Sequence, residues 1–277
     1  MSDHLHVFIF EHFAVRGALV QLDGVWQFTR SLRVHPPAVE SLLGQGMVAS
    51  ALLASTLKSG SENVLLQMQG DGPLSLLVAE CTSELGLRCT ARYTDGNIDG
   101  SLIELVRNGR CAITVSSAST ARRYQGVVPL DQPTLTGVLE SYMARSEQLD
   151  TRMVLHADNM AAAGLLLQRI PGREDADADA WNRISLLGAT VKAEELCGLA
   201  APTILRRLFP HDDVRLFGGR TLRFQCSCSP QRVAGMLRSL GQNEVNDIIS
   251  EQGKVEVTCE FCGQKYVFSP EECARLF

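Results

Sequence analysis

Four cysteines near the end of the chain constrain its fold more than any other feature. They are Cys226-Ser227-Cys228 and, after thirty intervening residues, Cys259-Glu260-Phe261-Cys262. Two close pairs supply the four thiolates of a tetrahedral structural zinc site with little loop-closure entropy. In an extended segment residues i and i+2 point to one face, so Cys226 and Cys228 can both aim at one ion. Gly263 directly follows the second pair and suits a tight turn with positive φ whose N–H groups face the sulfurs. Two other readings of the same residues stand beside zinc. A pair of structural disulfides requires an oxidising compartment, and a thioredoxin-like redox motif requires a surrounding βαβ pattern, which this stretch lacks.

The residues around the pairs predict a small metal-closed domain over 221–277. Ser229-Pro230 reads as an N-cap with proline at the first helical position. Val233, Met236, Leu237 and Leu240 follow at helical spacing, and Gly241 stops the helix. A second helix runs from about Asn243, with Val245, Ile248 and Ile249 on one face and Gly253 after it. Lys254–Thr258 and Lys265–Phe268 alternate polar and apolar and flank the Cys-x-x-Cys turn as a hairpin. Ser269-Pro270-Glu271-Glu272 is a capping-box helix start. So few core residues make the metal a main stabiliser, since structural zinc supplies on the order of 10–16 kcal/mol.

At 277 residues the chain has room for one large or two modest domains. With 45% apolar and 21% charged residues it has the composition of a soluble globular protein. The net charge of −5 and the absence of any run of four Lys/Arg argue against a nucleic-acid partner. No stretch approaches eighteen apolar residues, which argues against a membrane span. The N-terminus lacks a basic leader region, so the expected location is the cytoplasm, with thiols reduced at rest. Cys81, Cys89, Cys111, Cys197 and Cys273 stand alone and read as small buried apolar residues. The six histidines are not at metal-ligand spacing, and four thiolates leave no open position for a catalytic water. Neither a G-x-S-x-G elbow nor a G-x-G-x-x-G loop after a strand occurs, so the expectation is a protein that is not an enzyme.

The fold class expected is α+β: an N-terminal mixed sheet-and-helix domain over 1–172, a helical linker over 173–220 and the small zinc domain over 221–277. Val7–Leu22 reads as two paired strands, and Val39–Leu57 as the strongest helix. Gly44 and Gly46 within that helix point to close packing against neighbours. Gly70-Asp71-Gly72-Pro73 turns a hairpin between Val64–Gln69 and Leu74–Ala79. Leu87–Tyr93 alternates as a strand with one wet face, followed by strands at Cys111–Val115 and Tyr124–Val128. Leu135–Met143 is helical, and Thr151–Leu155 and Leu165–Ile170 return to strand. The acidic run 173–180 marks a boundary. Trp181, Ile184, Leu187, Val191, Leu196 and Leu199 then form an apolar helical stripe that Pro202 breaks, and Ile204, Leu205 and Leu208 form a shorter one. Such short helices need a surface to cover, either on a flanking domain or as part of one large core.

Taken together, these residues resemble the redox-regulated holdase chaperone family, heat-shock protein thirty-three. The likeness is carried by Phe10–Gly17, Gln69–Leu74, Tyr124–Val128, Arg145–Leu149 and Gly164–Gln168. The Cys-x-Cys-Ser at 226–229 and the Cys-x-x-Cys-Gly at 259–263 complete it. Gln45 departs from the acidic residue expected there, without touching a ligand. The resemblance implies an ATP-independent chaperone that binds unfolded or partly folded client proteins. It implies one zinc per chain in the reduced, inactive state, held by Cys226, Cys228, Cys259 and Cys262. It also implies that oxidation releases the zinc, forms a disulfide within each close pair, unfolds the C-terminal part and linker, and yields an active holdase, often a homodimer.

The chemistry of the residues agrees with that implication. Zinc-bound thiolates stay nucleophilic and oxidisable. A Cys-x-Cys disulfide in extended backbone sits near the upper limit of allowed Cα separation, so it is strained and easily reduced. Loss of the metal would free the Trp181–Leu199 stripe, the candidate client-binding surface. Two rival functions remain. One is a zinc-ribbon module binding nucleic acid or protein, to which Arg215, Arg220, Arg223, Arg232 and Arg238 lend some basic character. The other is a thiol–disulfide oxidoreductase.

Overall fold

Val7–Leu22 pairs with itself as the alternating apolar runs require: β1 (His4–Phe10) and β2 (Val15–Leu22) are antiparallel, with Leu5 opposite Val20. The structure is a computed structural model describing residues 3–57, 62–96, 98–117, 123–172, 177 and 179–277. Two helices follow, α1 (Gly24–Leu32) and α2 (Pro37–Thr56). The hairpin β3 (Glu62–Gln69) and β4 (Leu74–Cys81) then leads into β5 (Gly86–Tyr93), a short α3 (Leu102–Val106), β6 (Arg110–Ser117) and β7 (Arg123–Pro129). Next come α4 (Leu135–Tyr142), a π turn over Met143–Glu147, β8 (Thr151–Ala157) and β9 (Ala162–Arg169). Three further helices, α5 (Ala180–Ala189), α6 (Ala193–Gly198) and α7 (Ala201–Leu208), precede the short strands β10 (Val214–Leu216), β11 (Arg220–Thr221) and β12 (Arg223–Phe224).

These strands make two sheets. The first runs β10-β1-β2-β9-β8, with β11 also on β1; the second runs β12-β5-β4-β3-β6-β7. Helix α2 packs on strands of both. It is apolar all round because it is covered all round. Gly44 and Gly46 explain how it fits. A Cβ on Gly44 would lie 2.5 Å from the Ala157 Cβ of the first sheet, and one on Gly46 3.3 Å from the Ala79 Cβ of the second. By length and composition α2 could cross a membrane, but 67% of its most apolar window is buried inside the protein, as befits a central core helix. The Gly70–Pro73 turn docks on the end of α3, where Gly72 N donates to the Val106 carbonyl at 2.8 Å. A Cβ on Gly70 or Gly72 would collide with that backbone.

The first sheet buries both faces. On β9, Ala162 and Leu166 face the core around α2, while Ala163, Leu165 and Leu167 face α5–α7. That is why Gly164–Gln168 reads as a continuous apolar run rather than an alternating one. The chain divides at Phe224/Gln225 into two compact units. The helices of segment 173–220 therefore belong to the first unit and complete its core, and β10–β12 pair into its sheets. Of the acidic run at 173–180, residues 173–176 and 178 lie outside the described residues.

Four local readings need correction. Helices α1 and α3 are absent from the sequence reading. Pro202 starts α7 rather than only ending a stripe, because its missing N–H is no loss in a first turn. The supposedly wet face of β5 is partly covered, with Thr90 buried.

The second unit holds α8 (Pro230–Leu240), α9 (Gln242–Gln252), the hairpin β13 (Val255–Thr258) and β14 (Lys265–Phe268), and α10 (Pro270–Ala274). Ser229 caps α8 by accepting from Arg232 N, Gly253 ends α9 at φ +76°, and Ser269 with Glu272 forms the capping box of α10. Its core cluster is small, Val233, Leu237, Val245, Val255 and Cys273, with partly buried residues packed around them and Ala234 also buried.

Candidate metal centre

Cys226 and Cys228 lie in the extended segment just before the Ser229 cap, and Cys259 and Cys262 in the turn of the β13–β14 hairpin. Two backbone bonds close that turn: Cys259 N to the Gln264 carbonyl at 2.9 Å and Gly263 N to the Cys259 carbonyl at 2.8 Å. Gly263 takes φ +72°, the left-handed conformation expected of it. The four sulfurs come together, all within 4.8 Å of one another. The Cys226 and Cys259 sulfurs are 3.6 Å apart, and those of Cys228 and Cys262 3.4 Å. Zn–S bonds of about 2.3 Å in a tetrahedron put sulfurs about 3.8 Å apart. The donor set therefore fits a zinc ion, and among the described residues no other such cluster of His, Cys, Asp or Glu forms.

Tyr266 joins the centre from β14, its hydroxyl donating to the Cys228 sulfur at 3.1 Å. Burial raises the Cys228 thiol, but the Tyr266 hydroxyl and the neighbouring sulfurs outweigh it and bring the group down to about 7. Burial, together with the hydrogen bond each offers to the more acidic Cys228, pushes the Cys226 and Cys262 thiols upward. One thiolate is thus favoured in the metal-free cluster, and a cation would draw off the remaining protons. The sequence reading missed Tyr266; its only signal is strand alternation beside the cysteine turn.

The lone cysteines sit elsewhere. Burial pushes Cys81, Cys89 and Cys111 to about 12 and Cys197 to about 11, so their reactive thiolates are suppressed. Cys273 is part of the second unit's core. The apolar stripe belongs to the first unit. Ile184 and Leu196 are fully buried, Val191 is nearly so, and Trp181, Leu187 and Leu199 are half-buried against the same core. The arginines behind the nucleic-acid reading are mostly engaged. Arg215 pairs with Glu11, Arg223 with Glu84, Arg232 with Ser227 and Arg238 with the Leu276 carbonyl.

Comparison with known proteins identifies relatives along the whole chain. The sequence profile of the family described as Hsp33 protein matches residues 3–269. A 33 kDa chaperonin of Methylobacillus flagellatus is 47% identical over 281 residues, covering 100% of this chain and 95% of the relative. A 33 kDa chaperonin of Chromobacterium violaceum is 44% identical, covering 99% and 94%. The crystal structure of the 33 kDa chaperonin of Thermotoga maritima shares the fold at a TM-score of 0.80 and 22% identity, covering 99% of this chain and 97% of that one.

Proposed function

The chain belongs to the Hsp33 family, and on that premise we propose that it is an ATP-independent holdase chaperone gated by oxidation of Cys226, Cys228, Cys259 and Cys262. The family and the chaperonin names of its relatives support a chaperone that binds client proteins rather than an enzyme. The observation that carries the gate is the four-sulfur cluster in a unit with so small a buried core.

In the reduced state the four thiolates would hold one zinc ion, which cross-links the two cysteine pairs. Peroxide oxidises Cys226 with Cys228 and Cys259 with Cys262. Each pair gives up two electrons, one S–S bond forms, and the O–O bond breaks to leave water. The cysteines can then no longer hold the ion, and the second unit loses a main stabiliser. Segment 173–220 is the proposed coupling element. Its order must offset roughly 1–2 kcal/mol per residue of backbone entropy, so it is poised to open once its C-terminal anchor melts. Trp181, Ile184, Leu187, Val191, Leu196 and Leu199 would then be exposed to clients, and to a second activated chain as a homodimer. Resting thiols of this kind suit the cytoplasm.

The test compares light scattering by an aggregating client with reduced and peroxide-treated protein, without nucleotide. The expected result is suppression only after oxidation, and loss of bound zinc in a Cys226→Ser, Cys262→Ser variant. Retention of full zinc by that variant would overturn the ligand assignment. Salt-dependent binding of nucleic acid, or catalytic reduction of insulin, would favour the ribbon-module or oxidoreductase reading instead.

A further inference from the structure

A cavity of about 570 Å³ opens in the first unit, a size typical of small-molecule sites. Leu57, Val64, Ile113 and Leu149 build an apolar wall. Its polar lining includes Arg16, Glu147 and Gln168. Segments Phe10–Gly17, Tyr124–Val128, Arg145–Leu149 and Gly164–Gln168, none of which the proposed switch uses, all send a residue here.

Arg16 is the unusual member. Its Nε donates to Gln168 Oε1 at 3.1 Å, and its Nη2 to the same oxygen and to the Thr56 carbonyl at 3.2 Å. Gln168 is buried and fixed, its own Nε2 donating to Thr151 Oγ1 at 2.9 Å, which turns the amide oxygen toward the guanidinium. Among the described residues Nη1 has no acceptor and the guanidinium has no carboxylate partner. Glu147 lines the same cavity but accepts from the Tyr142 hydroxyl at 2.6 Å. Thr56 ends α2, so its carbonyl brings roughly half a negative charge to Arg16. Half a charge leaves the partly buried cation under-compensated, and burial already works against its protonated form.

We propose that this cavity binds a small apolar monocarboxylate, its carboxylate on the open Nη1 edge of Arg16 and its hydrocarbon body against the Leu57–Ile113–Leu149 wall. The free Nη1 N–H groups suit a carboxylate oxygen, a single half-compensated cation calls for one negative charge, and the wall calls for an apolar body. This reading is independent of the redox gate.

The probe is decanoate, titrated calorimetrically into the reduced full chain, with decanol and acetate as the two halves of its chemistry. Decanoate should saturate one site, and decanol and acetate should each bind at least about tenfold more weakly. Arg16→Gln should weaken decanoate at least about tenfold and leave decanol unchanged. Because Arg16 also ties α2 to β9, a second readout uses the unaltered chain with ε-methyl-labelled methionine. Met143, in the cavity lining, should shift saturably with decanoate, and Met236, in the second unit, should not. Absence of saturable binding, equal affinity for decanoate and decanol, or an unmoved Met143 would overturn the proposal.

Discussion

The side chain of Gln21, buried on β2, donates from Nε2 to the Leu196 carbonyl at 2.7 Å, and the same amide reaches the Leu199 carbonyl at 2.9 Å. These carbonyls close α6, where the helix itself leaves acceptors unused. A single sheet residue thus pins the middle of the proposed gate. The bidentate Arg183–Asp212 pair, at 2.8 Å on both arms, fastens α5 to the turn after α7 in the same way.

Gln21→Ala should loosen the segment without touching the cysteines. Losing the amide strands two acceptors and costs on the order of 1–3 kcal/mol. Even 1–2 kcal/mol multiplies the open population by about 5–30. The expected outcome is partial client protection in reducing buffer with zinc still bound, read by light scattering and metal analysis. A folded variant as silent as the parent until oxidised would move the gate out of α6.

Removing the metal from the reduced chain with a strong chelator should melt the second unit first and leave the sheet core of the first unit folded. The first unit has two extended cores around its sheets, and the second has a single cluster of five buried residues at its core. Limited proteolysis should then cut first within 225–277 and leave a fragment ending near Phe224. With chelator or peroxide alike, later cuts should reach back into 173–224, because the segment is proposed to open once the second unit melts. Digestion spread evenly over both units in either condition would contradict this order.

Tyr266→Phe keeps the ring and removes only the hydroxyl bond to Cys228. Groups that orient metal ligands typically contribute 10–100-fold in affinity. Competition with a chromophoric chelator should show zinc binding weakened by about tenfold. Unchanged affinity would mean that the hydroxyl does not tune the centre.

Acid should weaken the first unit through His35. Burial, then the Arg33 charge, lowers its pKa, and Nδ1 lies 3.1 Å from the Tyr93 hydroxyl. With the folded value below the unfolded one, the unfolded chain takes up the proton first as pH falls. The stabilisation is therefore complete above about 6.5 and lost as pH drops from there through the folded value. Urea unfolding of the first unit at pH 7.5 and 5.5 should show a smaller loss for His35→Gln than for the parent. An equal loss would assign the acid sensitivity to other groups.

Much of the second unit was legible in the sequence because its signals are local. Ser229-Pro230, Gly241, Gly253, Gly263 and the Ser269–Glu272 box each fix a cap or turn through neighbouring backbone, and cysteine spacing fixes the donor set. The destination of the Trp181–Leu199 stripe was not legible. A helical stripe states that a helix has a partner, and only the register of β9, with Leu165 and Leu167 on the second face, says which. Helix α1 escaped because Val25, Trp26 and Thr29 make too short a buried stripe to show a period. Gln21 and Tyr266 escaped because their partners lie 175 and 38 residues away in the chain.

The central claim is that the cysteine cluster controls client binding, and the most direct test follows both quantities in one reaction. Reduced protein is treated with peroxide while a chromophoric chelator reports released zinc and samples are assayed for client aggregation. The account predicts one equivalent of zinc per chain, with holdase activity appearing in step with or after its release. Both should revert on reduction with zinc resupplied. Activity that develops while the zinc stays bound, or complete zinc release into disulfides without any client protection, would contradict it.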